Sequence, residues 1–229
     1  QLKRVGDCLE FDFSGTDQQT DSCLNAVKAV TTACVYYALK SIGGSRLPAN
    51  EGVLEHVKIR TKASTLCDAR YPAAVSSGNV ETSQRIVDVI FACLRLAFPT
   101  TIPAQSCGSM NNVILSGVDY EGRIFVHYET HGGGMGAGPG GAGISGTHSH
   151  MTNTLNTPIE ELELEYPLEI SEYRLADAES AAPQSVIQGG RGLVRGYRFL
   201  CDGEATLIGE RHKIAPRSSG VDQPAPAAR

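Results

Sequence analysis

The residues best suited to chemistry gather between positions 131 and 160, in the run HGGGMGAGPGGAGISGTHSHMTNTLNTPIE. His148 and His150 are separated by one residue, and Asn153, Asn156 and Glu160 follow closely. On an extended segment, positions i and i+2 face the same way. The two imidazoles are therefore expected on one face, where they can move protons near neutral pH. The same pair can also contribute two ligands to a metal, with His131, Asn153 or Glu160 completing the shell. Hydrogen bonding that stiffens the loop satisfies the pattern equally well. The catalytic expectation falls on His148, His150 and Glu160, with Asn153 and Asn156 orienting the substrate.

The approach to these residues is a glycine loop. Nine of the fifteen residues in 132–146 are glycine. Each would lose too much backbone entropy for a stable helix to form. Without Cβ atoms, backbone N–H groups can come close to a ligand or to another stretch of chain. Gly132, Gly133 and Gly134 are read as a wall that binds substrate in this way. Gly136, Gly138 and Gly141 fit a dinucleotide fingerprint by letter, but no helix opens after them. The sequence has no G-K-[ST] phosphate loop and no serine in a G-x-S-x-G elbow.

A second candidate is the start of the apolar run IVDVIFACLRLAF, where Asn79, Thr82 and Arg85 lie just ahead of or at the helix. Free N–H groups and the positive dipole end there suit a carboxylate or phosphate. Ordinary capping by Ser77, Asn79 or Thr82 is the competing account.

Several elements must position these side chains. Alternation predicts strands over 10–16, 56–61, 168–175, 193–200 and 205–209, and a hairpin of 113–116 with 123–129. A helix is expected over 24–42, capped by Asp21 or Ser22 and ended by Gly43 and Gly44. A second, apolar nearly all round, is expected to be buried and stopped by Pro99. Pro158 opens one or two helical turns over 159–165. Together these give an α+β fold: short strands, two buried helices and long glycine-rich loops. It is expected to occupy 1–216 as one domain, with a disordered tail over 217–229.

The chain has 229 residues, a net charge of −5 and a pI near 5.7. No Lys/Arg cluster points to nucleic acid, and no apolar run is long enough for a membrane span. Seven scattered cysteines without a C-x-x-C pair suggest a reduced, cytoplasmic protein. Cys34 and Cys93 read as core residues, and Cys107 as structural rather than catalytic.

Several motifs occur in a characteristic order: DFSGT at 12–16, PAAVSSGNVETSQRIVDV at 72–89, MNN at 110–112, YETHGGGMGAGP at 128–139 and THSHMTNTLNTPIEELE at 147–163. Together they resemble the hydantoinase B/oxoprolinase family, in its N-methylhydantoinase B-like branch. The resemblance implies an ATP-dependent cytoplasmic enzyme of two subunit types. An A-type partner binds ATP and phosphorylates a carbonyl, and the B-type subunit helps open a cyclic amide by C–N hydrolysis. It also implies that this chain corresponds to the carboxy-terminal half of the family's length. A divalent metal would then have its ligands in the amino-terminal half, outside this chain. The loops at 180–183 and 188–192 depart from the family's usual R-G-G-x-G ending. Two alternatives are a subunit of an ATP-dependent ketone carboxylase and a non-catalytic structural subunit.

Overall fold

The computed structural model describes residues 1–177 and 187–217. The expected tail after 217 and the loop at 180–183 lie outside the described residues. The fold is mixed α and β, with three small sheets, as the alternation of helical and strand periods implies. The chain divides into two compact units, one ending at Ile102 and the other beginning at Pro103.

In the first unit, β1 (Leu2–Val5) pairs antiparallel with β2 (Cys8–Asp12), which pairs parallel with β3 (Val57–Arg60). Two helices pack together, α1 (Lys28–Gly43) and α2 (Ser83–Ala97). On α1 the buried residues Thr31, Cys34, Val35 and Ala38 follow the i, i+3, i+4, i+7 spacing of a helix stripe. On α2 the matching stripe includes Ile86, Val87, Ile90 and Leu94. Both helices thus bury a face, but α2 is not covered all round: Val89 and Leu96 are exposed. Within this unit α1 covers only one side of it.

The start of α1 also differs from expectation. Its N-cap is Val27, with no side-chain cap. Upstream, buried Asn25 ties the segment down, donating from Nδ2 to the carbonyls of Thr20, Ser22 and Ala74 at 2.9, 2.8 and 2.9 Å. The chain is thereby held in turns through the region expected to begin the helix.

In the second unit, β4 (Asn112–Val118) lies between β5 (Ile124–Thr130) and β8 (Gly203–Ile208) in an antiparallel sheet. A two-stranded sheet joins β6 (Leu168–Leu175) to β7 (Leu193–Phe199). The short helix α3 (Ile159–Glu165) follows Pro158 and ends before Pro167. Val113, Leu115, Phe125, Leu162 and Leu168 form the core, with Tyr166, Ile170, Tyr197 and Phe199 packed against it. Register places Val113 opposite Glu129 and Leu115 opposite His127. Two ionisable side chains therefore point from β5 into the same side of the sheet as the core.

A buried carboxylate at the centre of the candidate site

The polar cluster of the second unit is built around Glu129, which is 5% exposed. β5 carries His127 and Glu129 on one face, and His131 follows two residues on, just past the strand. β7 supplies Arg195 and Tyr197 at the same i, i+2 spacing. Tyr197 donates its hydroxyl proton to Glu129 Oε1, and Arg195 Nε lies 3.1 Å from the same oxygen. His131 Nε2 is 2.8 Å from the Tyr197 hydroxyl and 3.4 Å from Glu129 Oε1. Glu129 Oε2 accepts from Asn156 Nδ2 at 3.1 Å and from the Thr157 backbone N–H at 3.2 Å, with His127 Nε2 at 3.8 Å.

Burial would raise the Glu129 pKa, but the nearby His127 ring and hydrogen bonds from His131, Tyr197 and Asn156 outweigh it and hold the carboxyl far below the usual carboxylate range. Burial first, and then the bond and charge of Glu129, push the Tyr197 hydroxyl well above its usual value. The cluster thus holds a carboxylate and a neutral phenol. Arg195 extends the network, stacking over Tyr173 at 4.7 Å and donating to Thr157 O at 2.9 Å. Asn156 is held on both ends of its amide. Its Nδ2 also donates to Thr130 O at 2.9 Å, and Oδ1 accepts from Tyr173 at 3.2 Å.

His148 is half-buried, and its Nε2 lies 3.4 Å from the Thr154 hydroxyl, which pairs in turn with that of Thr130. Burial, and then the charge of His131, lower the His148 pKa, so the ring is neutral at neutral pH. His150 does not share an extended face with it. Its φ of 58° places it in a turn, which breaks the alternation the sequence suggested. Asn153 is exposed, and so is Glu160, in the first turn of α3.

The glycine loop packs against other backbone. Gly134 N–H donates to Thr147 O at 3.1 Å, Met135 N–H to Ile144 O at 3.0 Å and Gly190 N–H to Met135 O at 2.8 Å. Segment 188–193 lies against this loop. A Cβ on Gly132 would come within 2.7 Å of the Gly146 carbonyl, and one on Gly133 within 2.4 Å of Cys107 Sγ. Among the described residues no acceptor takes the N–H of Gly132 or Gly133.

Asn79, Thr82 and Arg85 belong to the first unit. A π-helical turn, Gly78–Thr82, precedes α2, so the backbone N–H groups of Glu81 and Thr82 are taken up by Ser77 O at 2.9 and 3.4 Å. The Thr82 hydroxyl donates to Leu24 O, Asn79 O accepts from the Ser83 hydroxyl, and Arg85 pairs with Asp88 at 3.5 Å. These groups hold the helix in place, and at its start the N–H groups of Gly78, Glu81 and Thr82 have internal partners. Among the described residues no three His, Cys, Asp or Glu side chains converge to hold a metal ion.

Sequence reasoning brought out Asn156, His148 and the glycine loop but missed Glu129, Tyr197 and Arg195. The signal was present in the i, i+2, i+4 spacing of His127, Glu129 and His131, an unusual set of ionisable side chains on one strand face.

The hydantoinase B/oxoprolinase family model matches residues 1–229, and the chain belongs to that family. An uncharacterized protein of Methanocaldococcus jannaschii is 47% identical over 208 residues, covering 91% of this chain and 36% of that protein. The 5-oxoprolinase 1 of Arabidopsis thaliana is 39% identical over 207 residues, covering 90% of this chain and 15% of that enzyme. The chain thus spans about a third or less of the length of these relatives. The fold is shared with the ATP-dependent caprolactamase of Pseudomonas jessenii, at a TM-score of 0.72 and 21% identity, over 86% of this chain and 34% of that one. No helix among the described residues is long and apolar enough to cross a membrane.

Proposed function

We propose that this chain is the B-type portion of an ATP-dependent enzyme that opens a cyclic amide by hydrolysing its C–N bond. It works with an A-type partner that binds ATP and activates the carbonyl, and with the further segment present in the longer relatives. The observation that carries the reading is His148, a half-buried imidazole held neutral beside a hydroxyl pair, in a loop whose Thr147 backbone lies against Gly132, one of two glycines whose N–H groups have no described acceptor. A neutral imidazole can take the proton of an attacking water. The N–H groups of Gly132 and Gly133 are suited to receive negative charge on the oxygens of the activated carbonyl. Asn156, fixed at both ends, holds the loop that carries His148, and His150 supplies a second imidazole nearby in sequence. Glu160, exposed on α3, takes no part in this scheme. The family's name and that of the plant relative support a cyclic amide as substrate, since hydantoin and 5-oxoproline are both cyclic amides.

The test is product analysis with the full-length enzyme and its ATP-binding partner, given 5-oxoproline or hydantoin with ATP. Ring-opened acid formed in step with ATP hydrolysis is the expected outcome. Incorporation of labelled bicarbonate into an added ketone, with neither ring opened, would replace this reading with ketone carboxylation.

A further inference from the structure

The buried cluster fixes the proton arrangement of a histidine that the scheme above leaves without a role. Glu129 accepts bonds at both oxygens and is ionised, so it has no proton to give. Tyr197 must therefore donate its single proton to Glu129. The Tyr197 oxygen can then meet His131 Nε2, 2.8 Å away, only as an acceptor. It follows that His131 carries hydrogen on Nε2. The ring lies nearly parallel to that of Tyr197, at 9° between planes and 6.0 Å between centroids. Among the described residues nothing hydrogen-bonds to Nδ1. The backbone beside it is tied down as well. His131 N–H donates to Asn111 O at 3.0 Å, and Asn111 Nδ2 donates to His131 O at 3.2 Å.

We infer that His131 is a second proton-transfer residue, delivering a proton from Nδ1 to the leaving ring nitrogen, and that Tyr197 and Glu129 are its positioning residues. The inference rests on the proposed ring-opening reaction. As water oxygen bonds to the carbonyl carbon, its proton passes to His148. The C–N bond then breaks, its electron pair stays on nitrogen, and that nitrogen takes the Nδ1 proton of the His131 imidazolium. The acyl phosphate left on the carbon that ATP had activated is cleaved by a second water to the ring-opened acid and inorganic phosphate. His131 returns to the neutral Nε2–H form that Tyr197 holds. One proton passing through solvent from His148 to His131 restores both rings. The arrangement separates a base from an acid, since unlike surroundings assign two titratable groups to opposite tasks. The charged and titratable groups around His131 are Glu129 and His127 from β5, Tyr197 and Arg195 from β7, and His148 from the loop that follows.

The experiment uses the full-length enzyme with its ATP-binding partner and compares 5-oxoproline, whose leaving nitrogen becomes a basic amine, with hydantoin, whose leaving nitrogen is a less basic ureido group. His131→Ala is expected to lower kcat about a hundredfold on 5-oxoproline, with KM changed little, and much less on hydantoin. Tyr197→Phe, which keeps the ring but removes its acceptor, is expected to lower kcat about tenfold with the same substrate dependence, and it carries the test should His131→Ala lose the fold. An equal fall on both substrates, or none on either, overturns the inference. If the wild-type enzyme opens neither ring, the proposed function fails. The tautomer then decides separately: nitrogen-15 spectra of labelled histidines in the intact enzyme should show His131 protonated at Nε2 and altered in Tyr197→Phe. A signal from His131 protonated at Nδ1 alone would overturn the inference.

Discussion

Glu129 is the residue on which the polar cluster of the second unit turns. Its charge is buried with Arg195 and surrounded by donors, and such a pair is costly to break from one side only. Glu129→Gln removes the charge and leaves the Arg195 guanidinium buried without it. We expect a loss of about 3–5 kcal/mol in stability, read from chemical denaturation. The acid dependence has a definite sign. The folded carboxyl titrates below its ordinary value of 4.5, so its contribution is present above that value and lost as pH falls through and below it. Wild-type melting temperature should drop between about pH 5 and pH 3, with the drop reduced in Glu129→Gln. His148 works in the other pH range. Its folded pKa is lowered from 6.5, so protonation favours the unfolded chain, and its stabilisation fades as pH falls below 6.5. As the base of the reaction it should stay active to lower pH than an ordinary histidine. The acid limb of kcat should lie below 6.5, and His148→Gln should cost about a hundredfold in kcat.

Among the elements, the glycine-rich loop behaves as packed backbone, and this makes a sharp comparison. A Cβ on Gly143 would sit 2.0 Å from the Met135 carbonyl oxygen, whereas one on Gly140 meets nothing within 4 Å. Gly143→Ala should cost about 1–3 kcal/mol, and Gly140→Ala should stay within about 0.5 kcal/mol, by denaturation midpoint. Equal effects would mean that the loop does not keep this packing in solution. The elements themselves were mostly legible. Pro158 and Pro167 bracket α3, and alternation marked β6 with the same bounds as the structure. β1 has no such mark in LKRV, and the start of α1 was displaced by Asn25, whose three backbone contacts reach as far as Ala74. The site was half legible for a similar reason. Asn156 and His148 stand in a dense local motif. Glu129 and Tyr197 are 68 residues apart and come from strands of different sheets, so only the packing of the two sheets on their shared core brings them within reach.

For the whole molecule, the decisive fact is that the chain spans 36% of the archaeal relative and 15% of the plant one, so those relatives carry much polypeptide beyond the matched region. Charge and composition set broad bounds on partners, and the mixture of strand and helix periods gave the α+β class. The division after Ile102 was not readable, because no glycine- or serine-rich linker marks it. The metal question belongs at this scale too. The H-x-H spacing of His148 and His150 suits two ligands of one ion when the segment is extended. The left-handed turn at His150 removes that geometry, and no other three such side chains converge among the described residues. We expect any divalent metal of the full-length enzyme to be held by residues outside this loop. His148→Gln and His150→Gln should leave the metal content of the purified full-length enzyme, measured by plasma mass spectrometry, equal to that of wild type, while His148→Gln slows turnover. A loss of half or more of the bound metal in either variant would place a ligand in this loop and make His148 a metal-holding residue instead of a base.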